Sequence, residues 1–436
     1  GDPDHPCGIS GEGSASFFNS CCYTCGIDYW QLAKRAMDFV ETHSELYLKL
    51  PDIVWEHSLA RLLNKPQLLN ESNWDWSAPS HNQDERQWQA TGEISLWRWM
   101  VWGRTYMNLM SAESEYVPPT KFYGQSLLEM NQDYTILRPA AAFMKIAMDK
   151  SSRYGDLLLS TRIATPKLAV LQSNTSIINC YPSGAPVGGY PHHPPRQEAF
   201  NFAALNDPGN YDHLYLPEEA VLEDGHDLRQ YRAVLLPYTT HFPPGLAEKL
   251  LAYVRQGGWL ICSGPPGVYD PYGRTDNRLL TTSLGACAPA YVSGNENNWV
   301  WALNLTTPRA ETTVELTDDQ GAPLLVSSRY GRGGLLVSVA GWRTDAAQEV
   351  YYRLLDAAIG NRTAWGEDNL LDLVTRVDSR GRRYLFAMNR SVDDTSEEIV
   401  HVEGEFPRPV DLGIGQRFPL GVRVEQGFTT LRLRLE

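Results

Sequence analysis

The sequence predicts an α/β chain in three parts. Residues 1–160 read as the second half of a (β/α)8 barrel, 161–365 as a flavodoxin-like doubly wound α/β domain, and 366–436 as a small antiparallel β-sandwich. Three observations carry this. Short apolar runs alternate with amphipathic stretches over the first 160 residues. The pattern then resets into continuous apolar runs separated by helical stretches. From about residue 370 the apolar period becomes two.

In the first part, Ala15 to Ser20, Met37 to His43, Gln67 to Glu71 and Tyr106 to Ser111 read as strands. Between and after them, Asp28 to Arg35, Glu45 to Leu63, Glu93 to Arg104 and Leu137 to Lys150 read as helices, with Asp28 as N-cap. Strand–helix alternation implies parallel pairing with helical crossovers. Four such units are half of a barrel that typically needs about 250 residues. Half a barrel leaves raw strand edges, so strands one to four are expected from an upstream segment or a second chain.

In the second part, Lys167 to Leu171, Arg232 to Pro237, Trp259 to Cys262 and Gly334 to Val339 are buried strands. Pro244 to Gln256 is a helix stopped by Gly257-Gly258, and Asp345 to Ile359 is a helix stopped by Gly360. His192-His193 falls in a Pro-rich surface loop. In the third part, Leu371 to Thr375, Tyr384 to Met388, Ile399 to Glu403 and Thr430 to Arg434 alternate as sandwich strands.

Composition excludes several classes. The net charge of −14 argues against nucleic acid and against an anionic membrane surface. No run of about 18 apolar residues is present to span a bilayer. The chain of 436 residues begins with Gly, and it reads as processed or as one piece of a larger whole. Its 13 Trp and 22 Tyr are a high aromatic load, suited to sugar stacking and equally to core packing. Seven irregularly spaced Cys make a poor disulfide framework, which favours a reduced, cytoplasmic setting.

The segment Lys65 to Trp76 carries the chemistry. A buried strand delivers Glu71 at its carboxyl end, the face where barrels place catalytic groups. Retaining glycoside hydrolysis needs a carboxylate nucleophile there, roughly 5–5.5 Å from a second carboxyl group. The other reading is that Glu71 caps a helix or pairs with a buried Arg; the segment alone favours neither, and the order of the parts favours catalysis. Asn19, Glu41 and His43 end neighbouring strands and, with Asn70, are candidates to bind sugar hydroxyls. Trp74 and Trp76 are candidates to stack on sugar rings or to pack, and Glu113 to contact ligand or to sit in an acidic loop. Cys7, Cys21, Cys22 and Cys25 offer enough sulfurs for a structural zinc, against the alternative of free thiols; no cofactor is otherwise required. Cys262 ends a strand where a glutaminase keeps its nucleophile, but Ser263-Gly264-Pro265-Pro266 breaks the elbow that role needs. Gly331-Arg332-Gly333-Gly334 lacks the Lys of a phosphate loop and leads into a strand.

The order of parts resembles the β-galactosidases of glycoside hydrolase family 42. The most specific likeness is YRAVLLPYTTHFPPGLAEKLLAYVRQGGWLICSG and YGRGGLLVSVAGW, similar to that family's trimerisation domain. YLFAMNRSVDDTSEEIVHVEG resembles its small C-terminal β domain. The resemblance implies a homotrimer acting on a carbohydrate substrate. It implies that Glu71 is the nucleophile at the end of barrel strand seven, with Asn19, Glu41 and Tyr106 on strands five, six and eight. The family's acid/base ends strand four, a segment this chain does not contain, and Glu12 lies too late to fill the role. The resemblance therefore implies an acid/base supplied by the N-terminal half-barrel. The rival reading is a non-catalytic carbohydrate-binding or assembly protein on the same scaffold.

Overall fold

The computed structural model describes residues 28–42, 50–73, 96–110, 142–180, 194–295, 298–390, 396–403, 417–425 and 428–435. It is a mixed α/β structure. The expected strand at Ala15 to Ser20 lies outside the described residues.

The first sheet is parallel, in the order β1 (Val40–Thr42), β2 (Gln67–Asn73), β3 (Arg104–Met110). Helix Tyr29–Arg35 begins at Asp28, whose carboxylate accepts from the Gln31 amide at 3.1 Å. That bond satisfies an amide the first turn leaves free. Helix Leu50–Leu63 crosses from β1 to β2. Helical backbone over 96–101 precedes β3, and Arg104, expected to end that helix, instead begins the strand. Gly103, at φ +98°, makes the turn between them. Helix Ala142–Ser160 runs on past Lys150, where it was expected to end, and leads into β4 (Thr161–Ile163).

The second sheet has seven strands. Its parallel portion runs β13 (Gly333–Ser338), β8 (Trp259–Ser263), β7 (Ala233–Pro237), β5 (Leu168–Gln172), β6 (His213–Pro217). In chain order this is 5-4-3-1-2, a doubly wound arrangement. All residues of these five strands are buried, as expected where helices cover both faces. Helix Leu246–Arg255 buries Leu246, Leu250, Tyr253 and Val254 on one stripe. Helix Asp345–Ile359 buries Ala347, Tyr351, Leu355 and Ile359, with Thr344 as N-cap and Gly360 after its last turn. Gly333 is required by close packing, since a Cβ there would overlap the Gly258 carbonyl oxygen.

Several elements were not legible in the sequence. The Pro-rich stretch is in part a helix, Pro194–Asn206, with its prolines at the first turn where no amide partner is needed. β6 was missed, as was the hairpin β9 (Gly285–Asn295) and β10 (Asn298–Pro308). β11 (Thr312–Thr317) and β12 (Pro323–Tyr330) extend the seven-stranded sheet antiparallel.

The last part forms two antiparallel sheets. One is β14 (Ala364–Gly366), β17 (Ser396–Glu403), β19 (Phe428–Leu435), β18 (Arg417–Glu425). The other is β16 (Arg383–Asn389), β15 (Leu371–Asp378), β4. β4 thus joins a sheet more than two hundred residues downstream through Arg376↔Ile163. One apolar core runs from Trp30 and Trp55 through the seven-stranded sheet to Phe386, and a smaller core includes Leu371, Leu373 and Val400. Among the described residues no helix is long and apolar enough to cross a membrane.

Candidate active site

β2 owes its position to its flanks. Lys65 donates to the carbonyls of Ala33, at 2.5 Å, and Met37. The Val40 amide donates to the Pro66 carbonyl at 2.8 Å, which starts the β1–β2 pairing. Below the strand, Glu56 on the crossover helix pairs with Arg104 at the start of β3, both side chains fully buried. Arg104 also lies over the Trp99 ring, 5.0 Å from its centre. The neighbouring His57 is neutral, because burial beside Arg61 and Arg376 pushes it down to about 3. Trp55 donates to Gln172 Oε1 at 2.6 Å, fastening the crossover helix to β5.

The register places Glu71. β1 pairs with β2 through Val40↔Gln67, Glu41↔Leu68 and Thr42↔Leu69. Asn70 and Glu71 lie beyond the last of these pairs, toward the carboxyl end of the sheet. On the other side, Leu69 pairs with Met107 and Ser72 with Leu109, so β2 carries one extra residue between them. Asn70 and Glu71 occupy this irregularity. Bulges of this kind recur beside active sites, where they re-aim a side chain and increase the local twist. Glu41 registers with Leu68, three residues before Glu71. At roughly 3.3 Å per residue that is about 10 Å along the strand axis, so the register does not bring Glu41 level with Glu71.

Asn19, His43, Trp74, Trp76, Glu113, and Cys7, Cys21, Cys22 and Cys25 lie outside the described residues. Among the described residues no group of His, Cys, Asp and Glu is arranged to hold a metal.

A second polar cluster sits at the carboxyl ends of β7 and β8. Glu198, fully buried on helix Pro194–Asn206, accepts from Trp299 Nε1 at 3.2 Å, Asn201 Nδ2 at 3.0 Å and the Ser263 hydroxyl. Arg343 lies 3.7 Å from the same carboxylate. Burial raises the Glu198 acid above its ordinary value against these partners. Tyr238, at φ +44°, packs on Trp299 and accepts from Trp301 Nε1 at 3.1 Å. Ligands of doubly wound sheets usually enter at this end, but here buried side chains fill it. Cys262 is fully buried and its thiol is raised well above its ordinary value by burial, which removes the thiolate a nucleophile needs. Sequence reading missed Glu56 and Glu198. A charged residue inside an apolar helical stripe was the available signal, and it does not name the partner.

No protein-family model matches the sequence, and no curated protein matches it. Solved structures match by fold. The β-galactosidase from Bacillus circulans sp. alkalophilus superposes with a TM-score of 0.65 at 18% identity, over 94% of this chain and 62% of that one. Gan42B, a GH42 β-galactosidase, gives 0.65 at 15%, over 94% and 61%. The β-galactosidase from Rahnella sp. R3 gives 0.62 at 15%, over 94% and 62%. The chain therefore spans about three fifths of the length of the proteins it matches. Over 94% of its own length, it has the fold of the family 42 β-galactosidases.

Proposed function

We propose that this chain is the C-terminal portion of a retaining, β-galactosidase-like glycoside hydrolase, with Glu71 as its nucleophile. In this reading β1, β2 and β3 are strands six, seven and eight of a (β/α)8 barrel. The doubly wound and sandwich parts then follow as the trimerisation and C-terminal β domains. The observation that carries the reading is the position of Glu71, in a bulge at the carboxyl end of a parallel strand, within a fold shared with β-galactosidases. Glu71 attacks the anomeric carbon, forming a glycosyl ester while the aglycone leaves. Water then attacks the same carbon and restores the carboxylate, with net retention. The acid that protonates the leaving oxygen comes from the upstream half-barrel, as a segment or a second chain.

The test is to complete the barrel with that upstream segment and treat it with an activated 2-deoxy-2-fluoro-β-galactoside. Peptide mapping is expected to find the fluorosugar on the peptide containing Glu71. Label on a different carboxylate removes Glu71 from the role. An assembly that hydrolyses no aryl β-glycoside and takes no label favours the binding or assembly reading instead. We further propose a homotrimer built through the middle domain and residence in the cytoplasm. Native mass spectrometry tests the first and fractionation of the source cells the second. Zinc on the N-terminal cysteines is tested by elemental analysis of the purified protein.

A further inference from the structure

The amino-terminal edge of the seven-stranded sheet carries an unusual charge. Three segments meet there: residues 227–232 before β7, 255–258 from the end of helix Leu246–Arg255 to β8, and 329–333 where β12 turns into β13. They hold Arg229, Arg232, Arg255, Arg329 and Arg332, and a single acid, Asp227. The chain as a whole has 52 acidic residues against 38 basic ones, so five arginines to one acid runs against its composition. The segments are bound to one another. The Arg332 amide donates to the Arg255 carbonyl at 3.2 Å, and Arg255 Nε donates to the Tyr330 hydroxyl at 2.7 Å.

Between the segments lies a groove of about 380 Å³, lined by Arg229, Arg232 and Arg332, by the rings of Tyr231 and Tyr253, and by Gly257-Gly258. Arg229 is held by Asp227, with its Nη2 at 2.8 Å from the carboxylate. Arg332 donates to the Gln256 carbonyl at 3.0 Å and, like Arg232, forms no ion pair among the described residues. Among the described residues, two guanidinium groups thus line a concave surface with no acid paired to them. Guanidinium forks match phosphate oxygens with paired bonds. The volume is at the low end of small-molecule sites, which run from about 300 to 1,000 Å³. The groove opens at the end of the sheet opposite the Glu198 cluster and belongs to a different sheet from Glu71.

We propose that this groove binds a small phosphate-bearing ligand, with Arg232 and Arg332 as the principal contacts and the tyrosine rings as its apolar wall. The test is calorimetric titration of the full chain with inorganic pyrophosphate at physiological ionic strength, where diffuse attraction is largely screened. Saturable binding is expected. The double variant Arg232→Ala/Arg332→Ala is expected to weaken it at least about tenfold, the loss of one or two charge-assisted bonds, with an unchanged thermal midpoint. The charge-matched variant Arg274→Ala/Arg380→Ala, made at exposed positions away from the groove, is expected to bind as the parent does. Absence of saturable heat in the parent overturns the proposal, as does equal weakening in both variants.

Discussion

The guanidinium of Arg376, on β15, donates to the carbonyl of Leu158 at 2.7 Å. It also reaches the Thr161 carbonyl at 2.6 Å, the Thr161 hydroxyl at 2.9 Å and the Val101 carbonyl. Leu158 lies in the last turn of helix Ala142–Ser160, and Val101 ends the helical stretch before β3. Final-turn carbonyls lack partners within their own helix, and the dipole there favours a cation. One buried arginine from the third part of the chain therefore closes two helices of the first. Burial pushes Arg376 down to about 10, which leaves it charged at neutral pH.

Arg376→Ala is expected to destabilise the chain by about 2–4 kcal/mol, because several buried carbonyls lose their donors at once. Arg376→Lys keeps the charge but presents a single nitrogen, and is expected to recover only part of the loss. Urea unfolding of the three proteins measures this; equal midpoints for parent and alanine variant exclude the capping role.

In the completed barrel, Glu71→Gln is expected to lower turnover of an aryl β-galactoside by at least about 10³, with the thermal midpoint unchanged. Parallel rate and melting measurements separate a lost nucleophile from a lost fold.

The Glu56–Arg104 pair is fully buried, so removing one partner strands the other charge. Glu56→Ala is expected to cost about 3–5 kcal/mol. The double variant Glu56→Leu/Arg104→Met is expected to cost less than Glu56→Ala alone, because no unpaired charge remains. A double-mutant cycle in urea reads the coupling directly, and strictly additive effects refute it.

Glu198 gives a pH signature. Its folded acid is raised above the unfolded value of 4.5 by burial. Its contribution is therefore fully present below that value and is lost as pH rises through the raised one. Glu198→Gln removes the titration while retaining an acceptor for Ser263 and Trp299. The stability of the variant relative to the parent is expected to increase from pH 5 to pH 8. A difference that stays flat between those two pH values rejects the assignment.

Much of the architecture was legible because it rests on local rules. The buried runs of β5, β7 and β8 are continuous and apolar, since strands covered on both faces have no polar side to reveal. Asp28 and Gly360 act at helix ends as their chemistry predicts. The helix beginning at Pro194 and the β9–β10 hairpin were not legible. Proline pairs read first as loop, and the alternation of β9 and β10 is weak.

The sequence by itself determined the buried strands β5, β7 and β8, the helices capped at Asp28 and stopped at Gly360, and that Glu71 lies in the strand beginning at Gln67, because those properties depend on residues a few positions apart. Only the tertiary structure decided that Asn70 and Glu71 fall at an extra residue in β2, that Arg376 caps helices more than two hundred residues upstream, and that Glu56 meets Arg104. Register, burial and ion pairing between distant segments follow from how whole elements pack. No local pattern encodes which carbonyl or charge will stand opposite which side chain.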